Sequence, residues 1–343
     1  MTIIYEQTFV HIAIVSRITL KSIAEEADIS YSVVSRVLSG NMGNTRVSKN
    51  KIDKIKAVAT KLGYTPNPVA SSLRSGKTNN IGLILTSTAN PFFTDMLNTF
   101  EEVATGHNHS IIFNTSRNSI EDQISAVRKM LNSYASGVIL NTWGDSSQDV
   151  IQTMIEKEGI KTPIIFISQT TETGNYVRCD LNESYANATL KLINKGYYKI
   201  GYLGVIHNED RHEGLFNTLA QNDLSCNYQI PCEFTDGEFM SAYKETLTYL
   251  ESGKPLAQVY FCYSDLVALG MYRAFTEKGL RVPDDVAIIT TDNSVLAKTN
   301  CTPLTSLAYP SEEIARLAID TILNGTDIQK TLIAPVVWRE STK

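Results

Sequence analysis

The chain has 343 residues, of which 43 % are hydrophobic and 20 % charged, and its formal net charge is −5. This length exceeds one ordinary domain, and the apolar content can build more than one large core. No apolar run approaches the roughly 18 residues of a membrane helix, and five cysteines without a C-x-x-C motif argue against a disulfide framework.

Residues 1–17 precede the first regular element. Their apolar patch, Phe9–Val15, has no basic residue before it and no small-residue cleavage site after it, so it does not resemble a secretory signal. We therefore expect a disordered leader on a protein that stays in the cytoplasm.

Two short stretches with helical spacing of apolar residues come next, joined by Asp28–Ser30. Thr19 and Ser30 stand where each helix needs an N-cap acceptor. The pattern predicts a helix-turn-helix, and an ordinary helical hairpin is the alternative. The outward face of the second helix favours DNA binding, because it offers hydrogen-bonding groups that can read bases and phosphates: Tyr31, Ser32, Ser35 and Arg36.

The charge distribution supports a DNA-binding headpiece. From Arg17 to Lys77 the chain has eleven Lys and Arg against four Asp and Glu, whereas the whole chain is acidic. A basic module on an acidic body is expected when one part contacts phosphates. A third helix, from a cap at Ser48 to a stop at Gly63, should close the headpiece core.

A short hinge helix is expected between Asn67 and Gly76. Asn67 can cap it, Pro68 fits its first position and Gly76 ends it. About two turns are too short to persist alone in water, so we expect this helix to form only when a partner stabilises it. A flexible linker is the alternative.

From residue 80 onward, short apolar runs alternate with amphipathic stretches. The runs predict buried parallel strands at Ile81–Leu85, Ser110–Phe113, Val138–Leu140, Pro163–Ile167, Ile200–Leu203, Val259–Cys262 and Val286–Ile289. This order is typical of α/β doubly wound sheets. Some 260 residues of this kind predict two lobes, with ligand binding between them at the carboxyl ends of the strands.

Ordered motifs along nearly the whole chain, from about Ile18 to Ser341, resemble those of the lactose/galactose repressor (LacI/GalR) family. They are Thr19–Ser39, Lys61–Asn67, Ala70–Thr78, Ile81–Leu83, Asn90–Phe93, Arg211–Gly214, Ser264–Ala268, Gly279–Val286, Pro303–Thr305 and Trp338–Ser341. The resemblance implies a homodimeric, ligand-responsive repressor whose core resembles periplasmic sugar-binding proteins. It also implies three chain crossings between two discontinuous lobes.

The expected domains follow from these observations. Residues 1–17 form the leader, 18–66 the headpiece, 67–78 the hinge helix and linker, and 79–343 the effector-binding and dimerisation core. Within the core, the N-lobe takes about 79–178 plus 310–326, and the C-lobe about 179–309 plus 327–343.

The resemblance assigns DNA contacts residue by residue. It implies base reading by Tyr31, Ser32 and Arg36, and phosphate contacts by Thr19, Ser30, Ser35 and Tyr64. In the hinge it implies contacts by Asn67 and Ala70, and a minor-groove wedge at Leu73.

The resemblance also assigns an effector site. Phe92 and Phe93 match positions that pack on the effector, and Asn141, Arg211 and Asp265 match polar positions that bind it. A neutral sugar or a similar polyhydroxylated ring is the favoured class. Departures from the family pattern at Ser168-Gln169, Leu181, Ser264 and Tyr309 fall in or near the pocket, so the effector is not inherited from a particular relative. A further departure lies in the helix-turn-helix, where Asp28 stands in place of the family's usual glycine, and we expect the turn to survive with slight strain.

Two other function classes are weaker. A periplasmic-type sugar receptor would share the two-lobed core, but it would need an export signal and would have no headpiece. An enzyme would need a nucleophile, an acid–base pair or metal ligands at convincing spacing, and the five histidines form no such set. The sequence therefore predicts no catalytic residues, no metal and no cofactor.

Overall fold

A computed structural model describes residues 18–39, 42, 46–64, 78–116, 119–142, 147–168, 173–206, 209–225 and 227–342. The chain separates into two compact units, residues 1–78 and 79–343. The leader and the expected hinge helix, including Asn67, Ala70 and Leu73, lie outside the described residues.

The first unit contains three helices around one small core. They are α1 (Leu20–Ala27), α2 (Tyr31–Ser39) and α3 (Lys49–Leu62). Their apolar faces meet in a cluster whose buried members are Ile23, Val34, Val37, Ile55 and Ala59. A helix-turn-helix closed by a third helix was expected, and the described residues form that arrangement.

The turn between α1 and α2 depends on a left-handed residue. Asp28 ends α1 with φ 52° and ψ 48°, and its backbone N–H donates to the carbonyls of Ala24 and Glu25. Few residues other than glycine adopt this conformation readily, and aspartate is one of them. The departure from glycine at position 28 therefore leaves the turn intact.

The second unit contains two sheets of six strands each. The first sheet has the order β11-β5-β4-β3-β1-β2, and the second β12-β10-β9-β8-β6-β7. All described pairings are parallel except that of β10 with β12. The strands are β1 (Asn80–Leu85), β2 (Ser110–Thr115), β3 (Gly137–Leu140), β4 (Ile164–Phe166), β5 (Asn175–Asp180), β6 (Ile200–Gly204), β7 (Tyr228–Pro231), β8 (Val259–Cys262), β9 (Ala287–Asp292), β10 (Thr305–Ala308), β11 (Gln329–Ile333) and β12 (Val336–Val337).

Helices follow most of the strands and cover both sheets. They are α4 (Pro91–Gly106), α5 (Ile120–Asn132), α6 (Ser147–Glu158), α7 (Leu181–Asn194), α8 (Glu209–Gln221), α9 (Glu238–Glu251), α10 (Asp265–Glu277), α11 (Val295–Thr299) and α12 (Ser311–Asn324). Two doubly wound lobes were expected, and the described core has this architecture. No helix within the described ranges is both long and apolar enough to cross a bilayer.

The chain passes between the two sheets three times, and the last passage corrects one expected boundary. The passages follow β5, β10 and β11. We expected residues 327–343 in the C-lobe, but β11 pairs with β5 in the first sheet from Gln329 to Ile333. The chain therefore returns to the second sheet only between Ile333 and Val336, because the edge of the first sheet offers β11 a full parallel partner.

Polar N-caps place the helix starts at the carboxyl ends of the strands. Asn90 caps α4, where Pro91 takes the first helical position, and Asp180 and Ser264 cap α7 and α10. A helix that follows a parallel strand begins at the edge where that strand ends. Polar side chains and helix N-termini of both lobes therefore collect at the cleft between the sheets.

Candidate DNA interface and effector cleft

The candidate DNA-reading residues lie around the start of α2. Tyr31 is 56 % exposed, which is unusual for a large aromatic side chain, and Ser32 and Arg36 are also exposed. Ser30 precedes the helix with its hydroxyl 3.3 Å from that of Ser32. The side chains of Ser30, Tyr31, Ser32 and Arg36 thus form one accessible polar group at the N-terminal end of α2.

Ser35 corrects the expected outward face. It is only 8 % exposed, between the core residue Val34 and the exposed Arg36. Successive helical residues turn by about 100°, so Ser35 borders the buried face, where neighbouring groups cover its small side chain. Its side chain does not belong to the accessible polar group.

Thr19 and Tyr64 serve the headpiece fold as well as any contact with DNA. Thr19 Oγ1 accepts from the backbone N–H of Ser22 at 3.2 Å in a reciprocal capping box. Tyr64 is partly buried and packs against the headpiece core. Thr19 remains exposed beside its cap, so both structural and DNA-contacting roles are open to it.

The effector candidates of the first lobe lie at the ends of β1 and β3. Phe92 and Phe93, in the first turn of α4, make an edge-to-face contact with ring centroids 5.2 Å apart, and Phe92 makes a similar contact with Tyr309. Asn141 follows β3 and is 8 % exposed. Beside it, Thr142 Oγ1 lies 2.9 Å from Ser168 Oγ, which joins the ends of β3 and β4.

In the second lobe, Arg211 reaches from α8 to the end of β8. Its Nη1 donates to the carbonyl of Tyr263 at 2.7 Å, and its guanidinium carbon lies 3.8 Å from the centroid of the Tyr263 ring. A guanidinium over an aromatic face is held by a cation–π attraction. Arg211 is therefore oriented by Tyr263 of the same lobe.

Asp265 is buried and already accepts hydrogen bonds within the protein. Its Oδ2 accepts from the backbone N–H and the hydroxyl of Ser294 at 2.7 and 2.8 Å, and its Oδ1 accepts from Ser306 Oγ at 3.0 Å. Burial raises the pKa of Asp265 to about 6, and the hydrogen bonds from Ser294 and Ser306 oppose that rise. Asp265 thus fastens the start of α11 to β10 and the start of α10.

Several site residues were not assigned a role from the sequence. Asp292, at the end of β9, has φ 111° and is 8 % exposed, and its burial together with the nearby charge of Asp265 raises its pKa well above the ordinary range. The sequence did offer one signal for Asp292, because a polar residue at the carboxyl end of a buried parallel strand lies where such sheets bind ligands. Glu238 and Asn90 meet across the cleft, and nothing in the sequence links them.

Open space lies beside these groups. A cleft of about 1000 Å³ extends between α4 and α12 of the first lobe and the β9–α11 segment of the second. Phe92, Tyr309 and Asp292 are among the residues that line it. Of the five candidate effector residues, Phe92 is the one found among the lining residues that the structure describes. The other candidates, Phe93, Asn141, Arg211 and Asp265, are not in that wall. The cleft is therefore adjacent to the predicted site rather than identical with it.

Comparisons with known proteins find one matching family model within each unit. Residues 19–67 match the family model described as bacterial regulatory proteins, lacI family, and residues 189–342 match a periplasmic binding protein-like domain. The ribose operon repressor of Haemophilus influenzae is 29 % identical to this chain, over 94 % of this chain and 98 % of the relative. Catabolite control protein A of Priestia megaterium is 26 % identical, over 95 % and 99 %.

A solved structure shares the fold over the same extent. A crystal structure of the lac repressor dimer bound to operator and the anti-inducer ONPF superposes with a TM-score of 0.82 at 24 % identity, over 95 % of this chain and 99 % of that chain. At this identity the likeness establishes the fold.

Proposed function

We infer the function from one premise: this chain belongs to the lacI family of bacterial regulatory proteins. It is a ligand-responsive DNA-binding transcriptional regulator that represses genes from an operator. The observation that carries this inference is the accessible polar group of α2, on a basic three-helix unit that shares its chain with a two-lobed binding core.

The protein binds a near-palindromic operator as a homodimer. Two copies of α2 related by a two-fold axis would each enter the major groove of one half-site. Tyr31, Ser32 and Arg36 read bases, and Thr19, Ser30 and Tyr64 contact phosphates. This DNA target places the protein in the cytoplasm.

The hinge completes DNA recognition. Asn67 and Ala70 contact the DNA at the operator centre, and Leu73 wedges a base step in the minor groove. These roles rest on the family pattern alone, since the three residues lie outside the described part of the chain.

The effector is a small neutral molecule of the sugar type, held between the lobes. Phe92 or Phe93 would cover an apolar ring face, and Arg211 and Asn141 would donate to ring hydroxyls. Asp265 accepts hydrogen bonds from Ser294 and Ser306, so its first role is to hold the α11 segment, and an effector that reaches it would share these acceptor oxygens. A phosphorylated effector normally needs several converging cations, and Arg211 is the single cation among the matched residues.

Selection of preferred sites from random DNA tests the repressor function. We expect a near-palindromic consensus, with Arg36→Ala weakening binding broadly. Changes at Tyr31 or Ser32 should alter base preference, each lost base contact costing roughly 1–3 kcal/mol. Lys51→Ala, on the exposed side of α3, is the control and should leave the consensus unchanged. An asymmetric consensus, or one indifferent to Tyr31 and Ser32, would contradict the assignment.

The periplasmic-type receptor is the second candidate, because the core matches a periplasmic binding protein-like domain. That function predicts tight sugar binding by a protein with no sequence preference on DNA. The same selection experiment therefore separates the two candidates.

A further inference from the structure

One carboxylate joins the two lobes across the cleft. Glu238 begins α9 in the second lobe, and its Oε1 and Oε2 each lie 3.1 Å from Nδ2 of Asn90 in the first lobe. The same carboxylate also accepts a hydrogen bond from the hydroxyl of Ser264. We call this set, Asn90–Glu238–Ser264, the Glu238 bridge.

Both partners of Glu238 are held rigidly by helices. Asn90 is 7 % exposed, and its Oδ1 accepts from the N–H of Phe92 at 3.0 Å as the N-cap of α4. Ser264 is 2 % exposed, and its Oγ accepts from the N–H of Val267 at 3.2 Å as the N-cap of α10. Because the Asn90 oxygen is committed to its cap, its Nδ2 donors are left to point at Glu238. The Glu238 bridge thus connects the start of a helix in one lobe to the start of a helix in the other.

Other polar contacts between the lobes lie in a chain crossing or at exposed positions. In the crossing after β10, the hydroxyl of Tyr309 donates to the carbonyl of Ile167 at 3.1 Å. Arg178 of β5 lies 3.7 Å from Asp210 of α8, and the Asp210 side chain is 53 % exposed. Asp95 accepts from the N–H of Val295 at 3.2 Å at an exposed position. Exposed ion pairs contribute little free energy, whereas a hydrogen bond to a charged group with a buried partner contributes more.

We propose that the Glu238 bridge is a latch that holds the two lobes together. Opening the cleft requires Asn90 to leave Glu238, so hydrogen bonds to a charged group are exchanged for hydrogen bonds to water. The latch therefore sets the balance between open and closed lobes against which an effector acts. The proposal rests on the proposed function only in this last link, that lobe closure transmits the effector signal.

Exchange of donor and acceptor tests the latch without knowledge of the effector. Asn90→Asp keeps an N-cap acceptor for α4 but replaces the donor with a second carboxylate facing Glu238. Adding Glu238→Gln restores a donor–acceptor pair with reversed polarity. Asn98→Asp, on the exposed side of α4, adds the same charge outside the bridge and is the matched control.

The lobe separation is measured in the full chain with spin labels at Glu102→Cys on α4 and Glu245→Cys on α9, with Cys226 and Cys301 changed to Ser. We expect Asn90→Asp to add a longer-distance population, raising the open fraction about tenfold or more. Asn98→Asp should match the parent, and Asn90→Asp with Glu238→Gln should return to it. Thermal unfolding of each variant shows that the protein remains folded.

The proposal is overturned if Asn90→Asp and Asn98→Asp give the same distance distribution. It is also overturned if the double variant stays as open as Asn90→Asp alone. Either result leaves the repressor function untouched, because the operator selection tests that function separately.

Discussion

At the scale of single residues, two buried carboxylates dominate the candidate effector site. Asp265 is 1 % exposed and Asp292 is 8 % exposed. Burial raises the pKa of Asp265 from its ordinary value of 3.8 to about 6, and burial together with the charge of Asp265 raises that of Asp292 as well. The folded protein therefore holds protons here more tightly than the unfolded chain does.

The first prediction concerns the pH dependence of this pair. A raised folded-state pKa stabilises the fold below about pH 4, and that contribution is lost as pH rises through about 6. Asp265→Asn should remove this pH-dependent contribution. The unchanged chain should therefore lose stability relative to Asp265→Asn as pH rises, and the difference between their free energies of unfolding should fall by on the order of 2 kcal/mol from pH 4 to 7.

Chemical unfolding of both proteins at several pH values measures this difference. Asp149→Asn, at an exposed position of α6, removes a carboxylate outside the site and is the control. If the difference between the unchanged chain and Asp265→Asn does not vary with pH, Asp265 does not have a raised pKa in the folded protein.

At the scale of elements, the turn between α1 and α2 sets the position of the DNA-facing helix. Asp28 holds the left-handed conformation at φ 52° that ends α1. Glycine reaches this region without a steric penalty, and aspartate reaches it at some cost. The headpiece therefore retains removable backbone strain at this residue.

Asp28→Gly should accordingly stabilise the headpiece by up to about 1 kcal/mol, because the left-handed penalty of about 1–2 kcal/mol is only partly offset by the greater freedom of glycine in the unfolded chain. Asp53→Gly, in the middle of the right-handed helix α3, should instead destabilise it by up to about 1 kcal/mol. Thermal unfolding followed by helical circular dichroism compares the two. Destabilisation by both changes to the same extent would show that the side chain of Asp28 matters more than its backbone.

The contact between α7 and α8 depends on a glycine. A Cβ at Gly214 would lie 2.1 Å from the carbonyl oxygen of Asn182, which belongs to the backbone of α7. Since real Cβ atoms do not approach so closely, any side chain must push the two helices apart. Arg211 is on the same helix as Gly214, so this displacement also moves a candidate effector residue.

Gly214→Ala should therefore lower the free energy of unfolding by roughly 1–3 kcal/mol, as overpacking does, and weaken effector binding. Gly106→Ala is the matched change, because a Cβ there meets no atom within 4 Å. It should be neutral or slightly stabilising. Equal melting temperatures for the two variants would contradict the close approach of α7 and α8.

At the scale of the whole molecule, the separation of charge predicts how DNA is bound. The first 77 residues contain an excess of Lys and Arg, and the remainder is acidic. Phosphate contacts by the headpiece supply binding to any DNA and depend on salt, whereas base contacts and the hinge supply preference for the operator.

Leu73→Ala should therefore weaken operator binding more than binding to random DNA. We expect a loss on the order of tenfold or more for the operator, because the wedge helps to bend it, and little change in the salt dependence. Titrations of both DNAs at several salt concentrations measure this. If Leu73→Ala weakens binding to both DNAs by the same factor, Leu73 is not a minor-groove wedge.

The sequence by itself determined the local elements and the class of the protein. Helix spacing, N-caps such as Thr19 and Ser264, and buried apolar runs such as Ile81–Leu85 depend on residues within a few positions of each other. The helix-turn-helix, the doubly wound lobes and the basic headpiece were predicted for this reason. Candidate residues at strand ends, such as Asn141 and Arg211, also followed from local order and family resemblance.

Only the tertiary structure decided which distant groups meet. Asn90 and Glu238 are 148 positions apart, and Asp265 and Ser306 are 41 apart, so no local pattern links them. The placement of β11 in the first sheet and the burial of Ser35 likewise depend on neighbours supplied by packing. Local periodicity specifies the face that an element buries, but the partner of each polar group is fixed only when the lobes have closed around it.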